Sequence, residues 1–237
     1  MSIWERLSAV TRNLSVGGHI SSLLGFGSTS QARKVYSEPD NEVPFTVGVI
    51  VLSAKMAKAD GTVAADEVKA FKEAFKVSAA DMKHVAAVFN SAKRDAANFE
   101  ACAEQLVTVF KGNHKLLGDV LDGLFQIAKA DGEVHRQEEE FLGEVAKRFG
   151  LTVGEFNSIK ARHMIDAKRN PYDVLGVKPS ITDEELDRHY RMLVADDDAE
   201  QLIARGVPKE FAIIGIEKRA ALSEAYDKIM NDRSKAG

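Results

Sequence analysis

The chain has 237 residues, 45% of them hydrophobic and 29% charged, with a formal net charge of −4. That length suits two domains, and the balance is that of an ordinary folded protein rather than a disordered one. The small negative charge excludes a global pull toward nucleic acid or anionic lipid. The one cysteine excludes an internal disulfide framework and fits a reducing compartment.

Residues 1–14 set Ile3, Trp4, Leu7, Val10 and Leu14 close to one helical face, with Glu5, Arg6, Ser8 and Arg12 elsewhere, and Gly17-Gly18 stops the helix. Two uses suit such a helix: contact with a membrane surface, or docking on the protein's own body, which the thin basic face favours. The charges also break the apolar core that a secretory signal needs. Residues 15–42 are rich in Gly and Ser and read as a linker.

Beyond Pro44 the pattern is helical only. Pro44 suits a first turn, and Pro44–Ala59 is apolar on most faces, as a central buried helix should be. It meets Lys55 and Lys58 before reaching the run of about 18 apolar residues that a membrane span needs. Val68, Phe71 and Phe75 form the stripe of the next helix. Ser78 with Asp81 reads as the start of another that carries Met82, Val85, Val88 and Phe89. Cys102 falls on a stripe with Phe99, Leu106 and Phe110 and reads as a packed core thiol. Asn113 is placed to cap a helix bearing Leu117, Val120, Leu121, Leu124, Phe125 and Ala128. Gly150 ends His135–Phe149, and Thr152 with Glu155 forms a capping box before Phe156 and Ile159.

One segment repeats. Ala57-Lys58-Ala59-Asp60-Gly61-Thr62-Val63, with Glu67 following, matches Ala128-Lys129-Ala130-Asp131-Gly132-Glu133-Val134, with Glu138 at the same offset. Two related helical hairpins packed as pseudo-symmetric halves would each bury the other's stripe. On this motif, residues 44–160 resemble the TerB (tellurite-resistance B) family, an all-helical fold. In that family such acidic residues are linked to divalent cations, which makes Asp60, Glu67, Asp131 and Glu138 candidates for a metal site. A turn device accounts for the same residues. Gly61 and Gly132 take positive φ, the aspartates accept backbone N–H groups, and the glutamates sit in first turns where the helix dipole favours anions. The spacing is not that of an EF-hand loop.

The last 70 or so residues run Asn170-Pro171-Tyr172-Asp173-Val174-Leu175-Gly176, then a helix from a Thr182/Glu185 capping box through Tyr190-Arg191-Met192-Leu193-Val194. A turn follows over about 195–208, with a third helix over about 209–231. This resembles a DnaJ-type J domain, and the order resembles bacterial proteins that join a TerB-like domain to a C-terminal J domain. In J domains a His-Pro-Asp loop and a basic second helix dock on a DnaK-type chaperone and stimulate its ATPase. Here Asp198, Ala199 and Glu200 occupy the loop position, and residues 182–200 carry eight acids against Arg188 and Arg191. An acidic groove would repel that segment. Asp196-Asp197-Asp198 reads as a solvated turn. Lys160, Arg162, Lys168 and Arg169 form a basic joint whose charges suit a helix C-terminus. The six histidines lack metal-ligand spacing. No catalytic triad, nucleophile elbow or phosphate loop is visible.

The sequence therefore predicts an all-α protein: an N-terminal helix and linker (1–42), a TerB-like helical domain (43–164) and a J-domain-like hairpin (165–237). It predicts no enzyme and no required cofactor. The expected partners are a DnaK-type chaperone or client proteins, not nucleic acid, with membrane contact limited to residues 1–14. The expected setting is cytoplasmic, peripheral to the inner membrane if that helix engages lipid. The function expected is that of a DnaJ-family co-chaperone weakened at its loop; the alternative is a divalent-cation-responsive TerB-type stress scaffold.

Overall fold

The computed structural model describes residues 2–14, 41–60, 64–95, 98–130, 132–164 and 169–236. Side chains 9, 10, 12–14, 58–60, 64–67 and 236 are outside the description. The described elements are twelve α-helices and one 3₁₀ turn, with no strand among them: α1 (Ile3–Leu14), α2 (Glu42–Asp60), α3 (Ala64–Ala74), α4 (Met82–Arg94), α5 (Phe99–Val109), α6 (His114–Ala128), α7 (Arg136–Arg148), α8 (Val153–His163), α9 (Pro171–Leu175), α10 (Asp183–Asp196), α11 (Ala199–Arg205), the turn Lys209–Phe211 and α12 (Ala212–Ala236). The protein is all-α.

Helix α2 is the axle. It is apolar on nearly every face, and α1, α3, α4, α5, α6 and α7 all pack on it. Val47, Val49, Ile50, Val51 and Leu52 are fully buried. Cys102 lies in the same core, and burial raises its thiol pKa, against the nearby Lys55 ammonium. Caps fall where the sequence places them. The Asn113 side chain accepts from the Leu116 N–H at 3.2 Å, and Thr152 and Glu155 close a reciprocal box. One start differs. Ser78 and Asp81 bond to each other (2.7 Å), which holds a turn, and α4 begins only at Met82.

Ile3, Trp4 and Leu7 of α1 are buried in the main core, so this part of the amphipathic face is docked on the protein's own body. Among the described residues no helix is long and apolar enough to cross a membrane.

The C-terminal helices form an antiparallel pair. Along α10 the partners on α12 run backwards: Asp183 meets Arg233, Asp187 meets Tyr226 (3.3 Å), Tyr190 meets Ser223 (2.9 Å) and Val194 O meets Arg219 (3.3 Å). Tyr190 and Tyr226 stack at 4.3 Å. The span expected as a plain turn contains α11. Gly206 ends that helix at φ 102°, and an added Cβ would stand 2.3 Å from the Asn41 Cβ, so neither its conformation nor its space admits a side chain.

Two apolar cores result. The smaller joins Val174, Leu175, Leu186, Leu222, Ala225 and Ile229, with Ala161 of α8. The larger holds not only α1–α8 but also Leu202, Val207, Phe211 and Ile214. Phe211 sits among Phe75, Phe45, Trp4 and Phe71 at ring separations of 4.4, 5.3, 5.8 and 6.4 Å. Helix α12 thus begins in one core and continues into the other. Phe211→Ala is expected to cost about 3–5 kcal/mol of global stability. It should also shift the emission of Trp4, the only tryptophan; urea denaturation followed by fluorescence reads both effects.

Candidate functional site

Two regions bear on function: the seam between the cores and the loop at the tip of the hairpin. The seam is built by α6, a mostly apolar helix that carries Asp119 and Asp122, each only 1% exposed. An ion so buried must be paired. Arg205, in the last turn of α11, grips Asp119 Oδ2 through Nε at 3.1 Å and Nη2 at 3.0 Å. Its Nη1 donates to the Asp196 carbonyl at 2.5 Å. Lys218 of α12 contacts Asp197 at 2.8 Å, Asp119 at 3.6 Å and Asp122 at 3.9 Å. Asp122 in turn accepts from Arg162 Nη2 at 2.9 Å and bonds His163 Nε2 at 2.8 Å. His163 stacks on Phe125 at 5.2 Å. Three carboxylates and three cations therefore close a buried network. Beside it lies an interdomain cleft of about 600 Å³, lined among others by Ser158, Arg162, His189, Arg205 and Lys218.

The environments of the two α6 aspartates push them apart. Burial, the strongest influence on Asp119, raises its pKa; Lys218 and Arg205 oppose that, while Asp122 and Asp197 reinforce it. Burial acts on Asp122 too, but the Arg162 guanidinium, the His163 hydrogen bond and the Lys218 ammonium outweigh it and hold this carboxyl far below the usual range. Burial keeps His163 from protonating at its ordinary pH, in spite of Asp122.

The acidic tripeptide is a solvated turn only in part: Asp197 is buried, while Asp196 and Asp198 stay about half exposed. Asp196 accepts from Lys115 at 2.7 Å, Asp197 is 5% exposed within the network, and Asp198 caps α11 by accepting from the Glu200 N–H at 2.9 Å. Each of the three carboxylates bonds a different donor, so they do not converge on one partner. The candidate loop residues Asp198, Ala199 and Glu200 are exposed, as are Arg188 and Arg191. The structure does not gather these five. The two arginines lie roughly 10–15 Å back along α10 at 1.5 Å per residue, and Arg191 is forked to Asp187 at 3.1 and 3.2 Å.

The charge of residues 182–200 also changes in three dimensions. Four of its eight acids meet cations from other elements: Asp183 meets Arg233, Asp196 meets Lys115, Asp198 meets Arg219, and Asp197 meets Arg205 and Lys218, both shared with the α6 aspartates. Half of the segment's acids are thus paired with other elements, while Glu184, Glu185 and Glu200 stay exposed.

Of the cation candidates, Glu138 accepts from the His135 N–H at 2.8 Å, as a first-turn carboxylate does. Asp131 and the side chains of Asp60 and Glu67 lie outside the described residues. The described residues hold no group of three or more His, Cys, Asp or Glu side chains placed to share a metal. The sequence reading missed Asp119, Asp122, Arg205 and Lys218. The available signal was two aspartates in the middle of a mostly apolar helix. Arg162, read there as part of a basic joint at a helix end, is instead the buried partner of Asp122.

Residues 46–161 match the family described as tellurite resistance protein TerB. Over 258 aligned residues the chain is 27% identical to the co-chaperone protein DjlA of Photobacterium profundum, spanning 97% of this chain and 89% of that protein. To the co-chaperone protein DjlA of Coxiella burnetii it is 26% identical over 231 residues, 88% and 84% of the two chains. The chain carries a TerB domain and is a homologue of the DjlA co-chaperones. The same-named protein of Escherichia coli K12 is 25% identical over 152 residues, 54% of this chain and 56% of that one. No solved structure matches the chain.

The network fixes how this DjlA homologue responds to acid. Asp122 has a depressed folded pKa, so its contribution is complete above the unfolded value of about 4 and is lost as pH falls toward the folded one. Asp122→Asn is expected to cost about 3 kcal/mol near neutral pH, because Arg162 is left without its counter-ion. The gap between variant and wild type should begin to narrow below about pH 4 and shrink further toward stronger acid, as read by urea denaturation from acid to neutral pH.

Proposed function

We propose that the chain is a non-enzymatic DnaJ-family co-chaperone. Its TerB domain would meet clients or partners. Its J-like hairpin would be a docking or regulatory module for a DnaK-type chaperone, with ATPase stimulation impaired at the loop. One observation carries this reading: an antiparallel pair, α10 with α12, presents the loop position Asp198-Ala199-Glu200 to solvent, in a chain homologous to DjlA over both of its parts.

The loop chemistry, more than helix charge, supports impairment. Asp198 puts an anion where the family has an imidazole. Ala199 returns the backbone freedom that Pro removes, and Glu200 lengthens the carboxylate arm. The helix supports it less than its composition suggests, because cations from other elements pair with half of the segment's acids.

Single-turnover ATPase assays with the cognate DnaK test this reading, with an intact-loop J protein as control. Hydrolysis with the wild-type chain is expected to stay near background. Stimulation at the control's level would overturn the proposed impairment. The D198H/A199P/E200D variant is expected to raise the rate. Helix α11 accepts it, since residue 199 is its first helical position, where Pro is tolerated, and loss of the Asp198 cap costs about 1 kcal/mol.

A further inference from the structure

The seam between the two cores is polar, and this is costly. Taking ions out of water loses hydration that their mutual attraction only partly returns, and apolar side chains of the same volume commonly do as well or better. Asp119 Oδ1 and Arg162 Nε are buried without a hydrogen-bond partner, so the network is not optimised even as an ion cluster. The cleft of about 600 Å³ beside it leaves the seam loosely filled.

The position of these groups is specific. Lys218 lies on α12 between Ile214, which belongs to the larger core, and Ala221, which belongs to the smaller. Arg205 ends α11, whose first residue follows the capping Asp198. Asp197 ends α10. At the tip of the hairpin, α11 and α12 each send one cation to the aspartates on α6, and Asp197 at the end of α10 pairs with both cations. The apolar anchor is elsewhere, at Phe211 among its four aromatic neighbours.

We propose that Asp119, Asp197, Arg205 and Lys218 form an electrostatic lock that sets the angle of the J-like hairpin on the TerB domain, the hairpin pivoting about the Phe211 anchor when the lock is broken. The network contributes orientation rather than stability. Apolar packing at Phe211 keeps the chain folded, while the ions select one of the arrangements that the loose seam would otherwise allow. Through α11, the lock also fixes where residues 198–200 face. That consequence rests on the co-chaperone reading; the lock itself does not.

The test is hydrogen exchange by mass spectrometry on the full chain, comparing wild type with D119L/R205M, which removes a neutral pair and leaves no buried charge unmatched. Exchange across residues 196–206 is expected to rise about tenfold, while segments 114–128 and 221–230 keep their protection and the thermal midpoint holds or rises. Unchanged exchange at 196–206 would overturn the proposal. So would an equal rise in all three segments, which would make the seam part of one cooperative unit. Lys218→Met, which leaves an unmatched carboxylate, is expected to loosen 196–206 with a lowered midpoint; retention of both would count against the lock. The experiment involves no chaperone, so its failure and that of the co-chaperone reading are separable.

Discussion

Two buried aspartates on one helix set how the tip of the hairpin meets the TerB domain. Asp119 and Asp122 are held at the centre of the molecule by the apolar residues on either side of them, and a carboxylate there must find a cation. The nearby segments supply three. Arg162 comes from the end of the TerB domain, Arg205 from the end of α11 and Lys218 from the first half of α12. Satisfying the α6 carboxylates therefore draws the hairpin's tip onto the first domain and brings Asp197 with it.

The apolar side of the same junction is Phe211. Its ring enters a pocket lined by α1, α2 and α3, so the N-terminal helix and the start of α12 depend on each other for burial. The Ile3 N–H also donates to Glu210 at 3.0 Å, which ties the first turn of the chain to the turn before α12. An amphipathic helix with buried Trp4 and Leu7 is thereby explained by the protein's own interior.

These contacts bear on how a J-like hairpin that lacks its tripeptide is to be understood. The replaced residues are not idle. Asp198 starts α11, and the residue before it, Asp197, faces inward to Lys218. Half of the carboxylates that as a bare string suggest a repulsive acidic face are spent on internal donors. What remains distinctive at the surface is the chemistry of residues 198–200.

Local patterns alone were enough to establish much of this protein. The stripes of α3, α5 and α6, the caps at Asn113, Thr152 and Thr182, and the all-round apolar character of α2 each follow from spacing within a few residues, and backbone hydrogen bonding and burial act over the same distance. The antiparallel pairing of α10 with α12 followed from the resemblance to a J domain. Helix α11 was less legible, because a seven-residue helix is too short to hold itself together and forms only with its ends secured by Asp198 and by the Asp119–Arg205 pair. The network lay beyond local reading altogether. Arg205 and Asp119 are 86 residues apart, and nothing in the surroundings of either names the other. Only the folded chain, by excluding water from α6, decided that these charges must meet.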